Sequence, residues 1–399
     1  MQLRARLLGP GVAALAAIPL TVLGPAGASH AAAPAQATAH SCSTPKAGFA
    51  SCKAILRTDV VSPAAKPVTP DATPSGYGPS SLQAAYNLPS ATAGAGRTVA
   101  IVDAYDDPTA EADLAVYRSQ FGLPACTTAN GCFKKTDQNG GTNYPRKDGG
   151  WAQEISLDLD MVSAVCPNCH ILLVEATSSS FANLGTAVNR AAATAGVVAI
   201  SNSYGGSDAS DTNYGSYYNH PGIAVTASSG DNGYGASYPA SSHYVTAVGG
   251  TTLNTASTAR GWAETAWSGA GSGCSSYNTA LAGASSFGTG CAKRAEADVS
   301  AVANPATGVA VYDSTAYQGY VGWMVFGGTS VSSPVIASVY ALAGNTGSID
   351  NNYPYAHAGS LWDVTSGSNG SCPTTQWCTA RTGWDGPTGL GTPNGTGAF

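Results

Sequence analysis

An α/β fold around a mainly parallel sheet is predicted by three features of this 399-residue chain. Apolar strand-like runs alternate with helical segments. The runs have the pattern of buried strands. Several of them end in a carboxylate or a Gly-rich turn. In such sheets chemistry gathers beyond the carboxyl ends of the strands, and Asp103, Ser203 and Asp231 all fall at such ends.

The chain opens with Arg4 and Arg6 before an apolar segment from about Leu8 to Leu23, followed by small residues. This is a secretory signal peptide over residues 1–33, with cleavage expected after Ala31, Ala33 or Ala37. Residues 34–76 form a short N-terminal segment, holding Cys42 and Cys52, and a Pro-rich linker expected to be extended. The main domain is expected over 77–399. Its first strand is "TVAIVDAY". A helix runs from Asp148 to Val165 into the strand "HILLVEA". A second helix, "FANLGTAVNRAAATAG", leads into "VVAISNSYGG", and "GIAVTASSGDNG" is a further strand. No later run is apolar enough to span a bilayer, so a soluble, exported (extracellular) protein is expected.

Ten cysteines in an exported chain imply disulfides, and their order predicts neighbours pairing: Cys42–Cys52, Cys126–Cys132, Cys166–Cys169, Cys274–Cys291 and Cys372–Cys378. A net charge of −6 with no basic stripe argues against nucleic acid or an anionic membrane as partner. Only 17 basic and 23 acidic residues also mean few paired carboxylates for acid to protonate, a composition suited to acidic surroundings.

"FGGTSVSSPVIASVYALAG" carries the candidate nucleophile. Ser330 follows two glycines at the start of a buried helix, whose positive end favours developing negative charge, and Pro334 is expected in the first helical turn. A serine needs a proton acceptor within reach. Glu154 and Asp158, spaced i, i+4, place two carboxylates on one helix face about 6 Å apart, close enough to share a proton. Glu154 is the candidate base and Asp158 orients it. Asp160 projects elsewhere and is structural or solvent-facing. Asp231 lies in a Gly-flanked loop after a buried strand.

Gly-Thr-Ser-x-x-x-Pro resembles the nucleophile motif shared by subtilisins and by the serine-carboxyl peptidases called sedolisins. A subtilisin needs a His-Gly and an Asp-Ser-Gly. None of the six histidines here precedes a glycine, and Asp103 stands in "VDAYD". The order "YGPSSLQAAYNLP", "TVAIVDAYDDP", "EISLDLD", "SSGDNG", "GGTSVSSP", "LWDVTSGSNG" and "GWDGPTGLGTPNG" is similar to the sedolisin family over residues 77–399. The resemblance implies a subtilisin-like three-layer fold and an acid-active peptidase, an endopeptidase acting as a monomer on proteins or peptides. It makes Glu154, Asp158 and Ser330 catalytic, with a protonated Asp231 in the oxyanion hole.

It also implies one structural Ca²⁺, held by the carboxylates of Asp363 and Asp385 and the carbonyls of Val364, Arg381 and Gly383. Arg381 stands where a glycine is usual. The family's long prosegment has no counterpart in the roughly forty residues before Tyr77, too few for a folded domain. Processing in the Pro-rich linker is one route to a mature enzyme.

Two other readings compete with the peptidase. One is a non-catalytic secreted binding protein on the same scaffold; the other is a subtilisin-like serine protease. Cys166-Pro-Asn-Cys169-His170 matches a haem c attachment pattern, and a metal or redox role is a further option. With no distal ligand in view, a small disulfide fits better. Substrate backbone is expected to lie as an extended strand along "SNSYGG" and the loop after Ser229. Asn369-Gly-Ser and Asn394-Gly-Thr fit the glycosylation pattern.

Overall fold

A computed structural model describes residues 37–60, 74–344 and 350–399, with Gln2 and Ala5. The expected signal peptide, Gln2 and Ala5 apart, and most of the Pro-rich linker lie outside the described residues. In chain order the strands are β1 (Thr38–His40), β2 (Ser51–Cys52), β3 (Ile55–Arg57), β4 (Thr98–Ala104), β5 (Phe133–Asp137), β6 (His170–Ala176), β7 (Val197–Asn202), β8 (Tyr204–Ser207), β9 (Ala224–Ser228), β10 (Ser237–Tyr238), β11 (Thr246–Thr255), β12 (Trp262–Ala266), β13 (Gly273–Cys274), β14 (Ala295–Glu296), β15 (Val299–Val302), β16 (Val309–Tyr317) and β17 (Tyr320–Gly327). The longer helices are α1 (Pro79–Ala85), α2 (Ala110–Gln120), α3 (Gly149–Val165) and α4 (Phe181–Ala192). Two short helices, α5 (Asp211–Tyr214) and α6 (Ala282–Ser286), precede α7 (Thr329–Ala343).

The central sheet has the order β12-β11-β9-β7-β4-β6-β5, with β15 also paired to β11. Every pair is parallel except β11–β12. Side chains of β4 alternate between its two faces, as a strand buried on both sides requires. Val99 and Ile101 join the core that holds α3 and α7, whereas Ala100 and Val102 join the core that holds α4. These are the three layers expected from the sequence. α4 buries Phe181, Leu184, Ala187, Val188 and Ala191 on one stripe, a surface helix covering one sheet face. α3 and α7 are buried almost all round, which confines both to the interior.

The N-terminal segment packs into this body. β1, β3, β17 and β16 form a second sheet in that order, and β2 pairs antiparallel with β8. All five expected disulfides form. Cys166 and Cys169 spend their sulfurs on each other between α3 and β6, which leaves no thiol for a haem.

Candidate active site

The carboxyl ends of β4, β7 and β9 lie side by side in the sheet and bring Asp103, Ser203 and Asp231 to one place. α3 supplies Glu154 and Asp158 from above. Its start is set by Asp148, whose side chain caps the helix by accepting from Trp151 N at 3.3 Å. α7 supplies Ser330 in its first turn.

Gly328 precedes α7 with a φ of 93°, which turns the chain sharply into the helix. Pro334 is therefore the sixth helical residue, not part of the first turn as expected. Its missing N–H would have bonded the carbonyl of Ser330, four residues back. That carbonyl instead faces the Ser203 hydroxyl at 3.4 Å.

Ser330, Glu154, Asp158 and Asp103 are completely buried, and Asp231 nearly so. The Ser330 hydroxyl donates to the Ser203 carbonyl at 3.1 Å, and it also interacts with Glu154, favouring the ionised carboxylate. Ser203 is a residue that the motif did not single out. Its hydroxyl donates to Asp158 Oδ1 at 2.8 Å, so it holds both the carboxylate and the serine.

Asp103 is the larger surprise. Neither of its oxygens has a hydrogen-bond partner, and burial pushes it up to about 8. Its position at a strand end was legible, but a role was not. Burial, and then the charge of Asp103, also raise Glu154 and Asp158 well above the usual carboxylate range. Leaving a charge unpaired in the interior costs several kcal/mol. Burial therefore favours the protonated form of all three groups, and the charge of Glu154 raises Asp158 further.

Asp231 presents one oxygen to Thr329, accepting from its N–H at 2.7 Å and its hydroxyl at 2.9 Å. Oδ2 has no partner. Burial raises this carboxyl, opposed by the charge of Lys53 and the Thr329 bonds. With Oδ1 committed as an acceptor, a proton on Asp231 would sit on Oδ2. Among the described residues no histidine is bonded to Ser330: His220, His243 and His357 bond the backbone carbonyls of Tyr217, Thr279 and Tyr353.

Asp160 is buried on the far side of α3, where Oδ2 accepts from Tyr312 N at 3.0 Å. Of the two roles expected for it, the structural one holds. Asn369 is also buried and donates to the Ala270 carbonyl at 2.6 Å and to Ser272 at 2.8 Å, so it is not an open glycosylation acceptor.

The C-terminal loop brings Asp363 and Asp385 together. Among the described residues no cluster of three or more His, Cys, Asp or Glu side chains is set to hold a metal, so any ion here needs backbone oxygens. Arg381 N donates to Asp385 at 3.1 Å and Gly383 N to Asp363 at 2.9 Å, drawing the chain over both carboxylates. Gly383 takes a φ of 81°, whereas Arg381 is not among the residues with positive φ. The arginine in place of a glycine is therefore no obstacle.

A segment of the chain itself lies across Ser330. Lys53 N donates to the Ser203 carbonyl at 3.2 Å, and Ala54 N donates to Glu154 Oε2 at 2.8 Å. A Cβ on Gly328 would lie only 1.8 Å from the Lys53 carbonyl oxygen, so only glycine admits this segment. The expected strand-binding groove along "SNSYGG" is the one that β2 fills.

Residues 135–352 match the family model described as Peptidase_S8, the subtilase family. Kumamolisin from Bacillus sp. (strain MN-32) is 29% identical over 81% of this chain and 63% of its own length. Sedolisin from Pseudomonas sp. (strain 101) is 27% identical over 80% of this chain and 60% of its own. A solved structure of Pseudomonas sedolisin, a serine-carboxyl proteinase complexed with pseudo-iodotyrostatin, superposes with a TM-score of 0.67. That match has 27% identity and covers 81% of this chain and 96% of the other. The chain belongs to the sedolisin family within the subtilases. It spans less than two thirds of the length of the two curated relatives. Among the described residues of this sedolisin-family chain, no helix is long and apolar enough to cross a membrane.

Proposed function

We propose that this chain is a secreted, acid-active serine-carboxyl endopeptidase that cleaves extended protein or peptide segments. The observation that carries this reading is a buried serine at a helix start, ringed by carboxylates and without an imidazole. Ser330 Oγ attacks the scissile carbonyl while Glu154 takes its proton. Asp158, held by Ser203, orients Glu154 and, with Asp103, shares the protons of the buried group. Asp231, protonated on Oδ2, donates to the oxyanion. Glu154 then returns its proton to the leaving amine.

The five disulfides and the signal peptide read from the sequence support export. A calcium ion fits the C-terminal loop, held by the carboxylates of Asp363 and Asp385 and the carbonyls of Val364, Arg381 and Gly383, where it would neutralise two neighbouring negative groups. Its removal by a chelator is expected to lower thermal stability, by about 2.7 kcal/mol if calcium had been at a hundred times its Kd.

The test is the pH–rate profile for hydrolysis of an unstructured peptide, run beside Ser330→Ala. Activity should require Asp231 protonated and a net negative charge on the Glu154–Asp158–Asp103 group, which gives a bell-shaped profile, and this proposal expects its peak below neutral. A peak at neutral or alkaline pH would sink the protonated-Asp231 mechanism.

A further inference from the structure

In Cys166-Pro-Asn-Cys169-His170 the two cysteines close on each other, and the histidine that opens β6 is left without a role. His170 lines a pocket of about 410 Å³ together with Lys134 of β5, Arg190 of α4, Thr98 and Thr194. No aspartate or glutamate among the described residues borders it. Thr98 and His170 begin β4 and β6, so the pocket lies at the amino ends of the strands. The chemistry of Ser330 is at their carboxyl ends.

Strand pairing explains how these basic side chains meet. Lys134 is opposite Leu172 in the parallel β5–β6 pair, and His170 precedes Leu172 by two residues. All three therefore leave the sheet on one face, the face whose core holds Leu172 and α4. Arg190 reaches the same place from the last turn of α4. The neighbouring Lys135 points to the other face, where Glu175 holds it at 2.9 Å.

The ion pairs of the described residues are made by Arg57, Lys135, Arg146, Arg260 and Arg294, so no carboxylate there serves Lys134 or Arg190. Arg190 Nε is buried and has no hydrogen-bond partner among the described residues. Its guanidinium packs on Gly140, where a Cβ would stand only 2.6 Å from Nε. A basic residue in the last turn of a helix and a lysine on an edge strand both have ordinary structural uses. Neither use accounts for a buried guanidinium donor left unpaired, whose lost hydration an accepting oxygen would recover.

We propose that this pocket binds a tetrahedral oxyanion, a sulfate or phosphate group, through Arg190, Lys134 and His170. The planar guanidinium offers paired donors to two oxygens, the ammonium adds a point charge and the imidazole a ring donor. Three such groups suit a single anion, whereas a nucleic-acid backbone needs a longer basic track. The anion is a free ion or an ester carried on a polymer. In the second case it tethers the enzyme by the end remote from Ser330.

Inorganic sulfate, which keeps both charges in acidic buffer, is titrated calorimetrically into the full chain carrying Ser330→Ala, which prevents self-digestion. Saturable binding is expected, weakened roughly tenfold by Arg190→Gln and roughly threefold by Lys134→Gln. Lys147→Gln removes an equal charge from an exposed position outside the pocket and should leave binding unchanged. Lys134 is exposed, so its variant keeps the test decisive even if Arg190→Gln unfolds. Dextran sulfate is the second probe. Binding tighter than free sulfate and weakened by the same variants supports the pocket with a polymer-borne group, and equal binding supports it with the free ion. No saturable sulfate binding, an affinity unaltered in both pocket variants, or an equal loss in Lys147→Gln would each overturn the proposal.

Discussion

α3 feeds two sets of buried carboxylates, and they differ in what their oxygens touch. Toward the cleft it presents Glu154 and Asp158, beside Asp103 and Asp231. Away from it, Asp160 joins Asp107, Asp113 and Asp313. In the second set every carboxylate accepts from the chain's own backbone: Asp160 from Tyr312, Asp113 from Ser314, Asp313 from Thr315 and Asp107 from Thr109. The buried guanidinium of Arg118 adds a positive charge beside Asp160.

In the first set Asp103 has no partner at all. Glu154 is bonded through the Lys53–Ala54 strap, and Asp158 by a side-chain hydroxyl. Carboxylates bonded to backbone N–H groups pin loops in place. Glu154 and Asp231 also accept one backbone N–H each, and Asp107 and Asp313 each keep one open oxygen. What sets the cleft group apart is the wholly unpartnered Asp103 and the nearness of Ser330. Burial raises pKa values in both sets, so the shift alone does not mark the chemistry.

The comparison can be broken by substitution. Ser330→Ala should reduce peptide hydrolysis by more than about a thousandfold while the far-UV circular dichroism stays unchanged. Next in size, Glu154→Gln is expected to cost roughly 10²–10⁴ in kcat. Asp231→Asn should cost roughly 10²–10³, together with loss of the alkaline limb of the pH profile. If either variant keeps wild-type turnover, the cleft set is no more catalytic than the other.

Asp160→Ala should do the reverse. Leaving Tyr312 N unsatisfied costs about 1–3 kcal/mol in denaturant unfolding, with kcat nearly unchanged. A large loss of kcat with normal stability would erase the division.

The smallest effect is shared by both sets. Asp103 and Asp313 are pushed up to about 8 and Asp107 to about 6, chiefly by burial. A raised carboxyl binds its proton more tightly folded than unfolded. Its contribution is complete below the ordinary carboxylate range and is lost as pH rises through the folded value. Thermal stability should therefore fall from about pH 5 to about pH 9, and a rising Tm over that window would contradict the burial of these groups.

Much of this was legible in the chain. Continuous apolar runs alternating with helical segments define the parallel sheet, because a strand covered on both faces has no polar side to show. Short cysteine spacings predict all five bridges, since neighbours in sequence can reach one another without the fold. Ser330 in its glycine-flanked motif, and Glu154 with Asp158 one helical turn apart, are local patterns and can be read locally. Tertiary structure decided what depends on distant segments meeting. The partnerless state of Asp103, the hold of Ser203 on both Asp158 and Ser330, and the inward burial of Asp160 need α3, α7 and the sheet ends in one place. So does the course of Lys53 and Ala54 through the cleft, which no local pattern announces. Its two N–H groups bond residues a hundred or more positions away, and only the packed chain brings them within reach.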